Sequence, residues 1–149
     1  MLKRTHLAVA FANAFYFLPY VNNKLVFFPV ILLSTLLPDI DSAFSSVGRH
    51  KIFRPLQWIF NHRGAIHSYT VAMALSILLA FFYPVLAFPF FLGYSFHLFL
   101  DAFTVQGIAP FWPFKKRSEG RIVTGGRVEN AIFFVVLIVD VALLAKLVF

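Results

Sequence analysis

Long apolar runs dominate the chain, and polar residues gather between them. Five runs have a composition typical of membrane helices: 7–21, 25–37, 65–83, 86–103 and 130–148. The first is short for a span, so we expect it to be tilted or shielded by its neighbours. Pro38 and Pro84 follow the second and third runs, where proline ends a helix. The pattern predicts an all-α integral membrane bundle of about five helices, formed by one domain over residues 1–149.

Composition supports a membrane protein over a very hydrophobic soluble bundle. Hydrophobic residues make up 60% of the chain and charged residues 13%, whereas soluble domains contain about 25% charged residues. The absence of cysteine excludes disulfides and thiolate metal sites. Any metal must therefore be bound through nitrogen and oxygen atoms.

The basic residues are distributed unequally between the loops. If all five runs span the membrane, eleven of the 13 basic residues share one side: Lys3, Arg4, Arg49, Lys51, Arg54, Arg63, Lys115, Lys116, Arg117, Arg121 and Arg127. Lys24 and Lys146 fall on the other side. Positive charge marks the cytoplasmic side, so we expect a cytoplasmic N-terminus, an outside C-terminus and a multi-pass protein of the cytoplasmic membrane. Orientation also explains the net charge of +7, and we expect membrane lipid rather than nucleic acid as the partner.

Most of the metal-competent side chains fall at helix ends on this same predicted side. They are His6, Asp39, Asp41, His62, His67, His97 and Asp101. His97 and Asp101 are four residues apart, so they share one face of a helix. Ionisable groups are costly in an apolar helix unless they are paired or bound to a metal. The set predicts a metal site, with a purely structural polar cluster as the alternative.

The ligand types narrow the choice of metal and of chemistry. Imidazole and carboxylate without thiolate suit Zn²⁺, and also Mn²⁺ or Fe²⁺. Basic residues on the same predicted side, namely Arg63, Lys115, Lys116 and Arg117, are expected to bind an anionic phosphoester or to contact anionic lipid. Both interpretations remain open at this point.

The chain resembles the YdjM-type membrane-bound predicted metal-dependent hydrolases. The matching motifs are Thr5-His6, Leu37-Pro38-Asp39-Ile40-Asp41, His62-Arg63-Gly64, His67-Ser68 and His97-Leu98-Phe99-Leu100-Asp101, followed by Thr104, Gly107 and Trp112-Pro113-Phe114. Each motif is short, but together they cover most of the chain in the order of the family. That family is itself distantly similar to the zinc-dependent phospholipase C and nuclease superfamily.

The resemblance implies a helical fold and zinc bound by histidine and aspartate. It implies metal ligands at His6, at His62 or His67, and at His97 and Asp101, and it makes Asp39 or Asp41 a ligand or general base. No histidine follows His97, so the superfamily's later His-x-x-x-Glu pair is absent. We therefore expect one or two metal ions rather than a cluster of three.

These observations predict a membrane-embedded metal-dependent hydrolase that cleaves a phosphoester of a lipid or other amphiphile at the cytoplasmic face. Metal-activated water would be the nucleophile, Asp39 or Asp41 the base, and Arg63 and Arg117 the groups that steady the phosphate. Two alternatives remain: a metal-handling transporter, for which Asp140 lies deep in a span, and a noncatalytic membrane scaffold.

Overall fold

The computed structural model describes residues 1–41, 50, 54, 64–114 and 116–149. Five α-helices are described over their whole length: α1 (Lys3–Phe17), α2 (Lys24–Leu36), α3 (Tyr69–Phe82), α4 (Pro84–Ala102) and α5 (Arg127–Val148). Single 3-10 turns, Leu18–Tyr20 and Pro38–Asp41, follow α1 and α2. The described residues contain isolated bridges but no strand, so the predicted all-α bundle of about five helices is confirmed.

Two of the described helices are long and apolar enough to cross a membrane. They are α4, with 19 residues, and α5, with 22 residues, whereas α2 and α3 are apolar but shorter. The α4 helix lies centrally, since it packs against α1, α2 and α3. The α5 helix packs against α1 and leaves large apolar side chains such as Phe134 and Ile138 exposed. Such a surface is the kind that lipid covers.

The third helix begins later than the apolar run predicts. The run starts at residue 65, but α3 begins at Tyr69 because the hydroxyl of Ser68 caps it. Ser68 Oγ accepts a hydrogen bond from the Val71 amide at 3.3 Å, which satisfies one of the free amides of the first turn. Residues 64–68 therefore form a turn in front of the helix, and His67 lies in that turn.

The α2 and α4 helices approach closely because Gly93 has no side chain. A Cβ at this position would collide with Ser34 Oγ and with the carbonyl oxygen of Ile31. The hydroxyl of Thr35 lies 3.2 Å from the Gly93 carbonyl oxygen, and Ser34 Oγ lies 3.2 Å from the Pro89 carbonyl oxygen. Small residues and hydroxyls of this kind are typical of helix interfaces in membranes.

The polar connection after α4 folds back on the end of that helix. The Thr104 hydroxyl donates to the Asp101 carbonyl oxygen at 2.7 Å, and Ile108 pairs with Ser118 in an isolated antiparallel bridge. Gly107 has a φ of 56°, a left-handed conformation that glycine adopts without steric cost. Thr104 and Gly107, which belong to the family motif, thus shape the segment next to Asp101.

Candidate metal centre

The backbone of α2 holds the imidazole of His97 in one orientation. Its Nδ1 lies 2.7 Å from the carbonyl oxygen of Thr35. Thr35 belongs to the last turn of α2, where carbonyl groups have no amide partner within the helix. Because a carbonyl can only accept, Nδ1 carries the proton, and Nε2 of the neutral ring keeps its lone pair. A metal ligand needs this tautomer.

The carboxylate of Asp101 lies among three imidazoles from different segments. Its Oδ1 is 3.3 Å from His6 Nε2, and its Oδ2 is 3.8 Å from both His67 Nε2 and His97 Nε2. Each of the four side chains is at most 2% exposed. The start of α1, the turn before α3 and the end of α4 therefore meet at one buried point.

Asp39 is the most exposed member of the cluster. It lies in the turn after α2, with Oδ1 3.9 Å from His97 Nε2 and a side chain that is 20% exposed. Burial raises the pKa of the Asp39 carboxyl above its usual value, His6 and His67 oppose this shift, and Asp101 adds to it. A carboxylate with a raised pKa that solvent can reach is suited to accept a proton.

Two overlapping groups in this cluster have the spacing of a metal site. Within each group the ligand atoms lie within 4.8 Å of one another: His6 with His97 and Asp101, and Asp39 with His67 and His97. The rings of His6 and His97 stack with their centroids 3.8 Å apart. For comparison, ligand atoms around a tetrahedral zinc ion are separated by about 3.4 Å, given bond lengths of about 2.1 Å. The side chains thus need only small shifts to share one ion.

The hydrogen bonding of the cluster also fits a cation. Among the described residues, His97 Nε2 and His6 Nδ1 have no hydrogen-bond partner. Carboxylate oxygens of Asp39 and Asp101 lie near the lone pair of His97 Nε2, and the described part of the chain supplies no donor to it. Burying a lone pair in this way is costly. The N-terminal amino group of Met1 contacts Asp101 Oδ1 and supplies one positive charge. The donors are the nitrogen and oxygen atoms that Zn²⁺, Mn²⁺ and Fe²⁺ accept.

A family model decides the relationship that the motifs indicated. The model described as YdjM inner membrane protein matches residues 1–148. The chain belongs to this family. The description makes it a protein of the inner membrane, in agreement with its apolar helices. Neither the curated proteins nor the solved structures contain a match.

In this YdjM-family chain, Glu129 ties the N-terminus to the start of α5. Its Oε1 accepts hydrogen bonds from the Leu2 amide at 2.6 Å and from the Thr5 hydroxyl at 2.8 Å. Its Oε2 accepts one from the Gly125 amide at 2.6 Å. Thr5 immediately precedes His6, so this fully buried carboxylate positions one of the imidazoles.

The sequence pattern did not predict this role of Glu129. Glu129 lies outside the predicted metal set, although its position in the first turn of a long apolar helix is a usable signal. A lone acidic residue there is costly unless it is satisfied by hydrogen bonds. Gly125, next to it in the fold, has a φ of 77°, which lets its amide turn toward the carboxylate.

Hydrogen bonds of the neighbouring residues and of α4 hold His67 in place. The Tyr94 hydroxyl donates to the Ile66 carbonyl oxygen at 2.6 Å. The Ser68 hydroxyl donates to the Ala65 carbonyl oxygen at 2.6 Å. These bonds fix the turn before α3 against α4, which also carries His97.

The remaining predicted site residues are either outside the described residues or, for Arg117, at the surface. His62, Arg63 and the side chain of Asp41 are outside the described residues. Arg117 lies on the exposed surface, where Nε is 3.1 Å from Glu119 Oε1 and Nη2 donates to the Gln106 carbonyl oxygen at 2.6 Å. These contacts hold the guanidinium group against its own loop. Arg117 would have to break them in order to bind a phosphate, as the sequence predicts.

Proposed function

We propose that this YdjM-family membrane protein is a metal-dependent hydrolase that cleaves a phosphoester of a lipid or another amphiphile. The observation that carries the proposal is the buried Nε2 atom of His97, which has no hydrogen-bond partner among the described residues. It lies 3.8–3.9 Å from oxygens of Asp101 and Asp39. A structural cluster would be expected to satisfy this nitrogen with a donor.

His6, His67, His97 and Asp101 are the proposed ligands, and Zn²⁺ is the proposed metal, with Mn²⁺ or Fe²⁺ as substitutes. His97 Nε2 has a single lone pair and would therefore bind one ion, although it belongs to both ligand groups. A second ion would need the other carboxylate oxygen of Asp101, whose Oδ1 faces His6 and whose Oδ2 faces His67. One or two ions are therefore compatible with the proposal.

A bound divalent ion supplies Lewis acidity, which activates water at neutral pH. Asp39 is the proposed base, because it is partly exposed and burial raises its pKa; Asp41 is the alternative. The base takes a proton from water, the water oxygen attacks phosphorus, and the ester P–O bond breaks. The proton then passes to the departing alkoxide oxygen.

The membrane setting supports an amphiphilic substrate. The cluster joins the N-terminal end of α1, the end of α2, the turn before α3 and the end of α4. These ends meet at the cluster, and the sequence segments that adjoin them carry most of the basic residues. We propose a multi-pass topology with the cluster at the cytoplasmic headgroup region, where Arg63 and Arg117 would neutralise the phosphate.

The decisive test is elemental analysis of detergent-purified protein after metal reloading. We expect stoichiometric Zn²⁺, Mn²⁺ or Fe²⁺ in the wild type and its loss in His97→Ala. Asp140→Asn is the matched control, because it removes another buried carboxylate that belongs to neither ligand group. Phosphoester turnover should follow metal content across the three proteins. Absence of metal from the wild type, or turnover by a metal-free variant, would refute the mechanism.

A further inference from the structure

An apolar cavity of about 350 Å³ lies beside the metal centre. Within the described residues, its walls come from the segment that follows α2, the turn before α3, and α3 and α4. The principal lining residues are Leu37, Ile40, Ile66, Val71, Leu75 and Tyr94. The volume lies at the lower end of the range for ligand pockets, which is about 300–1,000 Å³.

The described lining residues offer no free polar side chain to a ligand. Tyr94 has the one polar side chain among the lining residues, and its hydroxyl is bonded to the Ile66 carbonyl oxygen at 2.6 Å. A hydrogen-bonding or charged ligand would therefore lose its hydration without compensation. The chemistry of the walls selects a hydrocarbon group.

The walls are joined directly to the proposed metal ligands. Ile40 follows Asp39 in the chain, and Ile66 precedes His67. Tyr94 lies three residues before His97 on α4, which places the two side chains on neighbouring positions of one helix face. A molecule with its polar end at the ligands would thus find an apolar wall directly next to it.

The same cavity opens toward a surface that suits lipid. Leu75 of α3 forms part of the wall and is 40% exposed. Other apolar side chains of α3, among them Ile77 and Leu78, are also exposed. The cavity is therefore continuous with an apolar helix surface of an inner-membrane protein, from which a hydrocarbon chain can enter without crossing water.

We propose that this cavity, the chain groove, holds the hydrocarbon chain of a membrane lipid whose phosphoester lies at the metal centre. This inference rests on the proposed function and deepens it by naming the substrate class, a long-chain anionic phosphoester. Each methylene group buried in the groove adds to affinity. The groove thus selects long-chain substrates over short, water-soluble phosphoesters that the same ligands would accept.

The test is photolabelling of the purified full-length protein in phosphatidylcholine nanodiscs. The probe is dodecyl phosphate with a diazirine at the end of its chain, and labelled peptides are mapped by mass spectrometry. We expect saturable labelling in the segment that follows α2 and in α3, suppressed by excess dodecyl phosphate but not by ethyl phosphate. Labelling of lipid-exposed surfaces outside the groove should not saturate.

Two tryptophan variants of α3 provide the matched comparison. Leu75→Trp fills the groove and should weaken saturable labelling about tenfold, as expected from the loss of two or more methylene contacts. Leu78→Trp makes the same exchange at an exposed position outside the groove wall and should leave labelling unchanged. Val71→Phe repeats the filling at a second wall position.

Metal analysis of the same samples separates this inference from the proposed function. Labelling that does not saturate, or that is equal in Leu75→Trp and Leu78→Trp, overturns the chain groove even when metal is present. Cross-links between two copies of the protein would assign the groove to self-association and would also overturn it. Saturable labelling in a wild type that binds no metal supports the groove and refutes the hydrolase.

Discussion

Two buried carboxylates of this molecule, Asp101 and Glu129, have opposite surroundings. Glu129 is surrounded by donors: the Leu2 and Gly125 amides and the Thr5 hydroxyl bond to it at 2.6–2.8 Å. Asp101 lies among imidazole nitrogens at 3.3–3.8 Å, and its Oδ1 also contacts the amino group of Met1. Glu129 is thus an anchor whose acceptors are satisfied by backbone and hydroxyl donors, while Asp101 shares its surroundings with three imidazole rings that can act as metal ligands.

The comparison shows that burial alone does not identify a functional acid. Both side chains are at most 2% exposed, and burying either charge is costly without compensation. For Glu129 the compensation is a complete set of hydrogen bonds. For Asp101 the nearby Nε2 of His97 has no partner among the described residues, and a cation would bind both groups. The nature of the neighbouring atoms therefore separates an anchor from a candidate ligand.

The largest expected effect is the loss of metal affinity in Asp101→Asn. The substitution preserves shape but removes the charge that three imidazoles approach. We expect affinity to fall more than about 100-fold, since changes outside the ligand shell already cost 10–100-fold. Competition titration with a chelator measures this. Glu119→Gln, at an exposed carboxylate paired with Arg117, is the control, and equal affinities in the two variants would contradict the assignment.

The second largest effect is a loss of stability when Glu129 is replaced. Glu129→Ala leaves the Leu2 and Gly125 amides and the Thr5 hydroxyl without their acceptor, so the free energy of unfolding should fall by about 2 kcal/mol. Glu129→Gln keeps an acceptor oxygen and should lose less. Thermal unfolding in detergent measures both variants. Because Glu129 is in neither ligand group, metal stoichiometry should survive, and its loss from a folded variant would make Glu129 more than an anchor.

A smaller effect is expected at the interface that orients His97. In Gly93→Ala the new methyl group collides with Ser34 and the Ile31 backbone, so α2 must move away from α4. The Thr35 carbonyl moves with α2, and its 2.7 Å contact with His97 Nδ1 weakens. We expect about tenfold weaker metal binding. Ser95→Ala on the same helix is the control, because it removes a hydroxyl without a hydrogen-bond partner in the described residues. Equal metal affinities in Gly93→Ala and Ser95→Ala would contradict a role of the helix interface in orienting His97.

The smallest effect is predicted for Asp140→Asn in α5. Asp140 is buried, and its Oδ1 has no hydrogen-bond partner among the described residues. The amide has nearly the same shape and removes a charge from an apolar helix, so stability should change by less than about 1 kcal/mol. Metal content should be unchanged. Loss of metal uptake into proteoliposomes in this variant alone would instead favour the transporter interpretation.

Much of the candidate site could be predicted from positions along the chain. The i, i+4 spacing predicts that His97 and Asp101 share a face, and helix order predicts that His6, Asp39 and His67 lie near them. The contact of the Thr35 carbonyl with His97 could not be predicted, because it depends on how closely α2 and α4 approach at Gly93. The surface contacts of Arg117 with Glu119 and with the Gln106 carbonyl could not be predicted either. They depend on the conformation of the loop that carries all three residues.

The sequence by itself determined the helical membrane fold and the end of the bundle at which polar residues collect, because periodicity, hydropathy and helix boundaries are local properties. The resemblance to the family rested on short motifs in a fixed order along the chain, and the family model confirms it over residues 1–148. Tertiary structure decided which polar groups are satisfied: Glu129 by three donors, and the Nε2 atom of His97 by none in the described residues. Hydrogen-bond partners distant in sequence meet only when helices pack, and packing therefore distinguishes the anchor from the candidate metal ligands.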